Sequence, residues 1–228
     1  LDPALIDSSF VSDRLEVDPA ELQSLVEQMR DHGQQVPVLV RPHHHSDRRY
    51  QLAYGHRRVA AARLLERKVR AIVRAMTDEE LVVSQGQENS SRTDLSYIER
   101  CLFAAKLEDG GFSRDIAMAA FSVDKTNVSR MIALARQIPV EMIHAIGAAP
   151  SVGRGRWTTL AEKLPAGNFL KEAADILKEE AVRALSSDER FDALLRRLTV
   201  RPDEITKNRR QWWSKRRPHT EFKYRFHP

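Results

Sequence analysis

The chain has 228 residues, 42% of them hydrophobic and 30% charged, with a formal net charge of +5. That is material for one large or two small domains with ordinary cores. No apolar run approaches the roughly 20 residues of a membrane-spanning helix, the opening LDPALIDSSF lacks a basic region followed by an apolar signal core, and a single cysteine, Cys101, excludes an internal disulfide framework and any multi-cysteine metal site.

A cytoplasmic location and no membrane partner are therefore expected; the chain begins with Leu1, not Met, which leaves room for an upstream portion. Cys101 sits among Ile98, Leu102 and Phe103 on a predicted helix, the setting of a buried, inert thiol. The charge is uneven. Residues 201–228 hold nine Lys/Arg and three Asp/Glu, leaving 28 basic against 29 acidic residues in the rest. The body is nearly neutral, so any nucleic-acid contact there must come from local clusters, whereas the tail can bind polyanions without sequence preference.

Asp18-Pro19-Ala20-Glu21 sets a capping aspartate before a first-turn proline, and Leu22, Leu25, Val26 and Met29 follow at helical spacing. Gly33 ends that helix. Val36 to Arg41 reads as a short buried strand before the loop Pro42 to Arg48, and His43-His44-His45 in that loop reads as solvated because three adjacent histidines cannot turn to one ion without strain. Tyr50 to Leu65, YQLAYGHRRVAAARLL, turns an alternating strand into a helix through Gly55. The first turn of such a helix exposes N–H groups at the positive end of its dipole, so Arg57 and Arg58 stand beside a ready phosphate site. A solvated basic first turn on a structural helix would look the same. Val69 to Val73 reads as another strand, and Thr77-Asp78-Glu79-Glu80 as a capping box for a helix running toward Glu88. In Glu88-Asn89-Ser90-Ser91-Arg92, a carboxylate and an amide oxygen suit a hard cation such as Mg2+ on a polyphosphate, and an arginine suits the phosphate itself. Polar capping of a helix end is the plain alternative.

From Asp94 no strand pattern reappears before the tail. A helix over Asp94 to Glu108 stops at Gly110-Gly111, and Ser113 to Ala135 carries a helix-turn-helix pattern. Ala117, Phe121, Val123, Val128 and Met131 fall where two such helices meet, Asp124 caps the second helix, and Val128, Met131, Ile132 and Ala135 form its buried stripe. Lys125, Thr126, Asn127, Ser129 and Arg130 are left outward, and with Ser113 at the start of the first helix they are the candidate DNA contacts. Ser122 stands at the turn position where glycine is usual, and Met118 where a small residue is usual. A plain helical hairpin with a solvated face is the competing reading. Ile146 to Trp157, IGAAPSVGRGRW, reads as a glycine-rich basic loop, followed by two helices near Asn168–Leu185 and Asp188–Leu198.

Together GQQVPVLVRP, YQLAYGHRR with AAARLL, AIVR, ENSSRTDL and the helix-turn-helix resemble the ParB-type partition proteins, and IGAAPSVGRGRW with DKTNVSR most resembles their RepB branch on low-copy plasmids. The resemblance covers roughly residues 10–164. It implies an α+β architecture: a ParB/sulfiredoxin-like α/β domain over residues 1–92, then an all-α helix-turn-helix domain over 93–164, with a helical segment at 165–200 and a basic tail at 201–228. It also implies a plasmid partition protein that binds a palindromic centromere-like DNA site as a homodimer, meets a ParA-type ATPase, and closes as a clamp on CTP and Mg2+. Carried onto this chain, Gly55, His56, Arg57, Arg58, Asn89 and Arg92 would bind nucleotide, and Glu88 and Asn89 the metal. His56 stands where the family often has glutamate, and Val36 where it often has glutamine; both lie near the position of attacking water, so CTP binding is expected with slow or altered hydrolysis.

A transcriptional repressor with the same DNA-binding domain is the alternative. A sulfiredoxin-type enzyme fits worse, because His56 occupies the place of its cysteine and Cys101 lies on a later helix. A nuclease lacks its carboxylate cluster. The tail, with Trp212-Trp213 among arginines, reads either as a DNA-binding arm or as a disordered or truncated end.

Overall fold

The computed structural model describes residues 1–9, 19–91, 95–165 and 169–199. Asp18, Arg92 and the basic tail fall outside these. Four strands, β1 (Ile6–Asp7), β2 (Val38–Pro42), β3 (Tyr50–Tyr54) and β4 (Ala71–Val73), form one sheet in the order β1-β3-β2-β4. β2 and β3 run antiparallel, while β1 lies parallel to β3 and β4 parallel to β2. The β2 and β4 strands start two residues later than the sequence pattern suggests. Arg49 on the approach to β3 grips Asp7 with two N–H donors, Nε at 2.8 Å, and that guanidinium holds the Asp7 carboxyl below its ordinary pKa.

Alternation along the strands assigns the two faces. Val38, Val40 and Leu52 join Val26 and Met29 of α1 (Pro19–His32) and Val59, Ala61 and Ala62 of α2 (His56–Leu64) in one core. Leu39 and Ala53 point the other way and meet Met76 and Leu81, the latter on α3 (Asp78–Ser91). Gly33, at φ 70°, closes α1 in the left-handed region as its position requires. The box that starts α3 is complete: Thr77 N–H donates to Glu80 Oε2 at 2.9 Å, and Glu80 N–H to Thr77 Oγ1 at 3.1 Å.

Helices follow: α4 (Tyr97–Asp109), α5 (Arg114–Phe121), α6 (Lys125–Gln137), α7 (Val140–Ile146), α8 (Arg154–Lys163), α9 (Phe169–Lys178), α10 (Glu180–Arg183) and α11 (Ser187–Thr199). One hydrophobic cluster joins them, from Val82 on α3 through Ile98, Phe103, Phe121, Ile132 and Trp157 to Phe191 and Leu198, so the helices on both sides of residue 165 share a core. Two sequence expectations change here. The stretch from Arg154 to Trp157 is the first turn of α8 instead of loop, because Trp157 is fully buried against Phe191, ring centroids 4.7 Å apart, and that burial outweighs the low helix propensity of Gly155. The single helix expected near 168–185 is two, α9 and α10, with Glu179 between them at a non-helical ψ of 131°.

Cys101 is fully buried on α4, and loss of hydration pushes its thiol up to about 12. The neutral thiol is then the form present at pH 8, and Ellman's reagent should leave it untouched until the protein is unfolded in guanidinium. Rapid labelling of the folded protein would contradict this burial.

Candidate functional site

β3 ends at Tyr54 and α2 begins at His56, so Gly55 alone makes the turn. Its φ is 102°, and a Cβ there would lie 2.6 Å from Val38 Cγ1. Both conditions admit only glycine. The first helical bond runs from Val59 N–H to Gly55 O at 3.1 Å, so the N–H groups of His56, Arg57 and Arg58 precede it at the positive end of the helix. No acidic residue stands in this first turn, and the His56, Arg57 and Arg58 side chains are half-buried. A glycine that brings the backbone close, followed by a cationic helix start, fits the phosphates of a nucleotide.

α3 governs what can meet them. Arg41 of β2, 2% exposed, donates to Gln51 Oε1 through Nε at 3.0 Å and through Nη2 at 2.6 Å, to Met76 O at 3.1 Å and to Asp78 at the start of α3. Three residues later Leu81 packs with Leu39, Ala53 and Tyr54. α3 therefore starts level with Gln51 and reaches Tyr54 at Leu81, and Glu88 lies about two turns further along it. Glu88 is half-buried. Asn89 belongs to the same helix, but its side chain, like Arg92, lies outside the described residues. No group of three or more His, Cys, Asp or Glu that could hold a metal occurs among the described residues. A single carboxylate such as Glu88 is a ligand type that Mg2+ accepts alongside phosphate oxygens and waters.

Gly86 of α3 touches α5: a Cβ on it would lie 2.4 Å from Ala120 Cβ and 3.0 Å from Ala120 Cα. The turn between α5 and α6 passes through Ser122 at φ 54°, the left-handed place where glycine is usual. Asp124 Oδ1 accepts from Asn127 N–H at 2.8 Å and starts α6. Val128, Met131, Ile132 and Ala135 are buried, and Lys125, Thr126 and Arg130 are exposed. Asn127 and Ser129 differ from the fully outward expectation. The Asn127 amide donates to Asp124 Oδ2 at 2.8 Å, while Ser129 donates to Lys125 O at 2.9 Å and accepts from Arg114 Nη1 at 3.1 Å. Ser113 is exposed at the N-cap of α5 without a side-chain capping bond. Arg114, which the sequence did not single out, also donates to Glu108 at 2.8 Å, so it ties the start of α5 to α4 and α6 at once.

Residues 1–90 match the ParB N-terminal domain, and residues 91–223, more than half of the chain, match the RepB plasmid partitioning protein family. The chain belongs to the RepB plasmid partitioning protein family. This RepB-family chain is 45% identical over 207 residues to a replication protein B of Rhizobium rhizogenes, covering 91% of the chain and 64% of the relative. It is 43% identical over 196 residues to one of Sinorhizobium fredii (strain NBRC 101917 / NGR234), covering 85% and 60% respectively. It thus spans less than two thirds of the length of either. The C-terminally truncated chromosome-partitioning protein ParB of Caulobacter crescentus, complexed to the centromeric parS site, is similar over 86% of this chain and 97% of its own, at 21% identity and TM-score 0.46. The same protein complexed with CTP-gamma-S is similar over 87% and 97%, at 20% identity and TM-score 0.39. No helix among the described residues is long and apolar enough to cross a membrane.

Proposed function

We propose that this chain is the part of a plasmid partition protein that reads a palindromic centromere-like DNA site through α5–α6 and binds CTP with Mg2+ at the Gly55 turn. The observation that carries the nucleotide reading is Gly55 itself, locked by its φ and by Val38 at the head of a helix that opens His56-Arg57-Arg58. In this reading His56, Arg57 and Arg58 hold phosphates with the α2 N–H groups, Glu88 and Asn89 meet the metal, and Arg92 closes the site. The ion would offset phosphate charge; the chain's own groups bind and orient. With His56 and Val36 at the places named above, hydrolysis is slow or altered while binding persists. Failure of radiolabelled CTP to crosslink, with and without centromere DNA, would count against it.

For DNA, α6 is the reading helix of a helix-turn-helix. Lys125, Thr126 and Arg130 reach bases or phosphates; Asn127, Ser129 and Ser113 contact DNA at the helix starts, the first two after exchanging their local bonds. Two identical readers match two half-sites, so the DNA-bound form is a homodimer, and it closes as a nucleotide-driven clamp. A ParA-type ATPase is its partner in the cell. Replacing Lys125 or Arg130 by Ala is expected to cost about 1–3 kcal/mol at the cognate palindrome and less on random DNA, measured by fluorescence anisotropy. Equal losses on both DNAs would make them phosphate contacts.

Calorimetry across the four ribonucleoside triphosphates, with and without palindromic plasmid DNA, tests the whole. CTP selectivity is the expected result, and Arg58→Ala should weaken it at least tenfold, about 1.4 kcal/mol, in a protein that still recognises its site. DNA recognition with no nucleotide binding would leave the transcriptional repressor.

A further inference from the structure

We propose that the outer edge of β4 is a docking site for an extended segment of a partner protein, one that carries apolar residues between two acidic residues and adds to the sheet as a fifth strand. Among the described residues β4 is the last strand on its side of the sheet, and β2 alone pairs with it. Val38 N–H donates to Arg70 O at 3.0 Å and Arg74 N–H donates to Val40 O at 2.9 Å, with Ile72 in register with Leu39. Parallel pairing uses alternate residues. Ile72 therefore faces β2 with its backbone, and Ala71 and Val73 turn their N–H and C=O groups outward. Gln34 fixes where this edge begins. Its side chain donates to Val36 O at 2.8 Å and Arg70 O at 2.9 Å and accepts from Arg70 N–H at 2.7 Å, which satisfies the backbone just before Ala71.

Natural sheets rarely leave such an edge apolar. Here Ile72 and Val73 are 50% and 48% exposed, two of the seven large hydrophobic residues exposed among those described. Arg70 and Arg74, both exposed, flank them on the same face of the strand as Ile72, and Arg67 and Lys68 precede them. An added strand thus meets cation, apolar, cation at every second position on that face, and a further apolar residue, Val73, on the other. Its complement is acid, apolar, acid at the same spacing, since directly opposed unlike charges stabilise a strand pair and like charges do not.

Charge also decides against the nearer occupants. A second copy paired in antiparallel register on Ile72 would set Arg70 against the copy's Arg74. The chain's own residues 201–228, with nine basic and three acidic residues, are repelled in the same way. DNA phosphates would satisfy the arginines and accept from N–H groups, but would leave the apolar pair and the outward C=O groups without partners. Addition of a strand uses all three features, as in other complexes formed by sheet extension.

The test uses the full chain and a short synthetic peptide with three central valines flanked by glutamates. Amide hydrogen exchange is read by NMR. The expected result is at least tenfold slower exchange at Ala71 and Val73 with saturating peptide, no such effect from the same peptide with lysines in place of the glutamates, and a reversed preference in the double variant R70E/R74E. These substitutions lie on exposed positions, and a thermal melt verifies the fold. Unchanged exchange at Ala71 and Val73 with the glutamate peptide at millimolar concentration would overturn the proposal. So would displacement of the peptide by duplex DNA with no protected β4 amide, the mark of a mere polyanion surface.

Discussion

Replacing Gly86 by alanine is expected to destabilise the protein by about 2–4 kcal/mol, well beyond the ~1 kcal/mol by which alanine ordinarily improves a helix over glycine. The new methyl group would stand 2.4 Å from Ala120 Cβ and 3.0 Å from the Ala120 Cα and carbonyl oxygen. Two of those atoms are backbone, so no side chain can swing aside and α3 must move off α5. Urea denaturation measures the loss. The companion change Ala120→Gly removes the nearest of the three atoms, and the double variant should recover part of the stability, a coupling that a mutant cycle isolates. Independent, additive effects would show that the two helices do not press on each other there.

Replacing Arg41 by methionine should cost about 3–5 kcal/mol. The size follows from what stays behind. Gln51, 8% exposed, and the Met76 carbonyl lose their donors inside the protein, and Asp78 loses its cation at the start of α3. Asp78 is 55% exposed and regains water, so most of the penalty comes from the two buried acceptors. Changing Gln51 to leucine as well should return part of the loss by removing one orphaned group, and Asp78→Ala alone should be milder than Arg41→Met. Should Asp78→Ala prove the more damaging, the ion pair rather than the buried acceptors would dominate.

Elements with strong local signals were legible in the residues alone. Thr77 and Glu80, Asp124, Gly33 and Gly55 each act where capping or turn chemistry assigns them, and the apolar stripe of α6 is buried as its spacing predicts. The parts missed depend on distant partners. Arg41 continues the alternation of β2 onto the Leu39 face, yet nothing nearby in sequence announces that Gln51 and the α3 start will enclose it. Gly153 offers α8 no capping side chain, so only the burial of Trp157 and Leu160 betrays that helix. For Gly86 a signal existed: a glycine inside a helical pattern marks a close approach, and here it is Ala120 that approaches. At the candidate nucleotide site the turn was readable and the direction of α3 was not, because that direction is set by Arg41 and Leu81. For α6, the inward bonds of Asn127 and Ser129 depend on rotamers and on Arg114, which spacing does not encode.

Leu81 and Val82 are neighbours on α3 and both fully buried, yet they belong to different cores, one under the sheet and one among the helices. A single rod with a foot in each cannot melt on one side while the other stays intact. Cutting the chain after α3 strips the helical bundle of Val82 and leaves that residue wet on the sheet fragment, so neither half keeps the cooperativity of the whole.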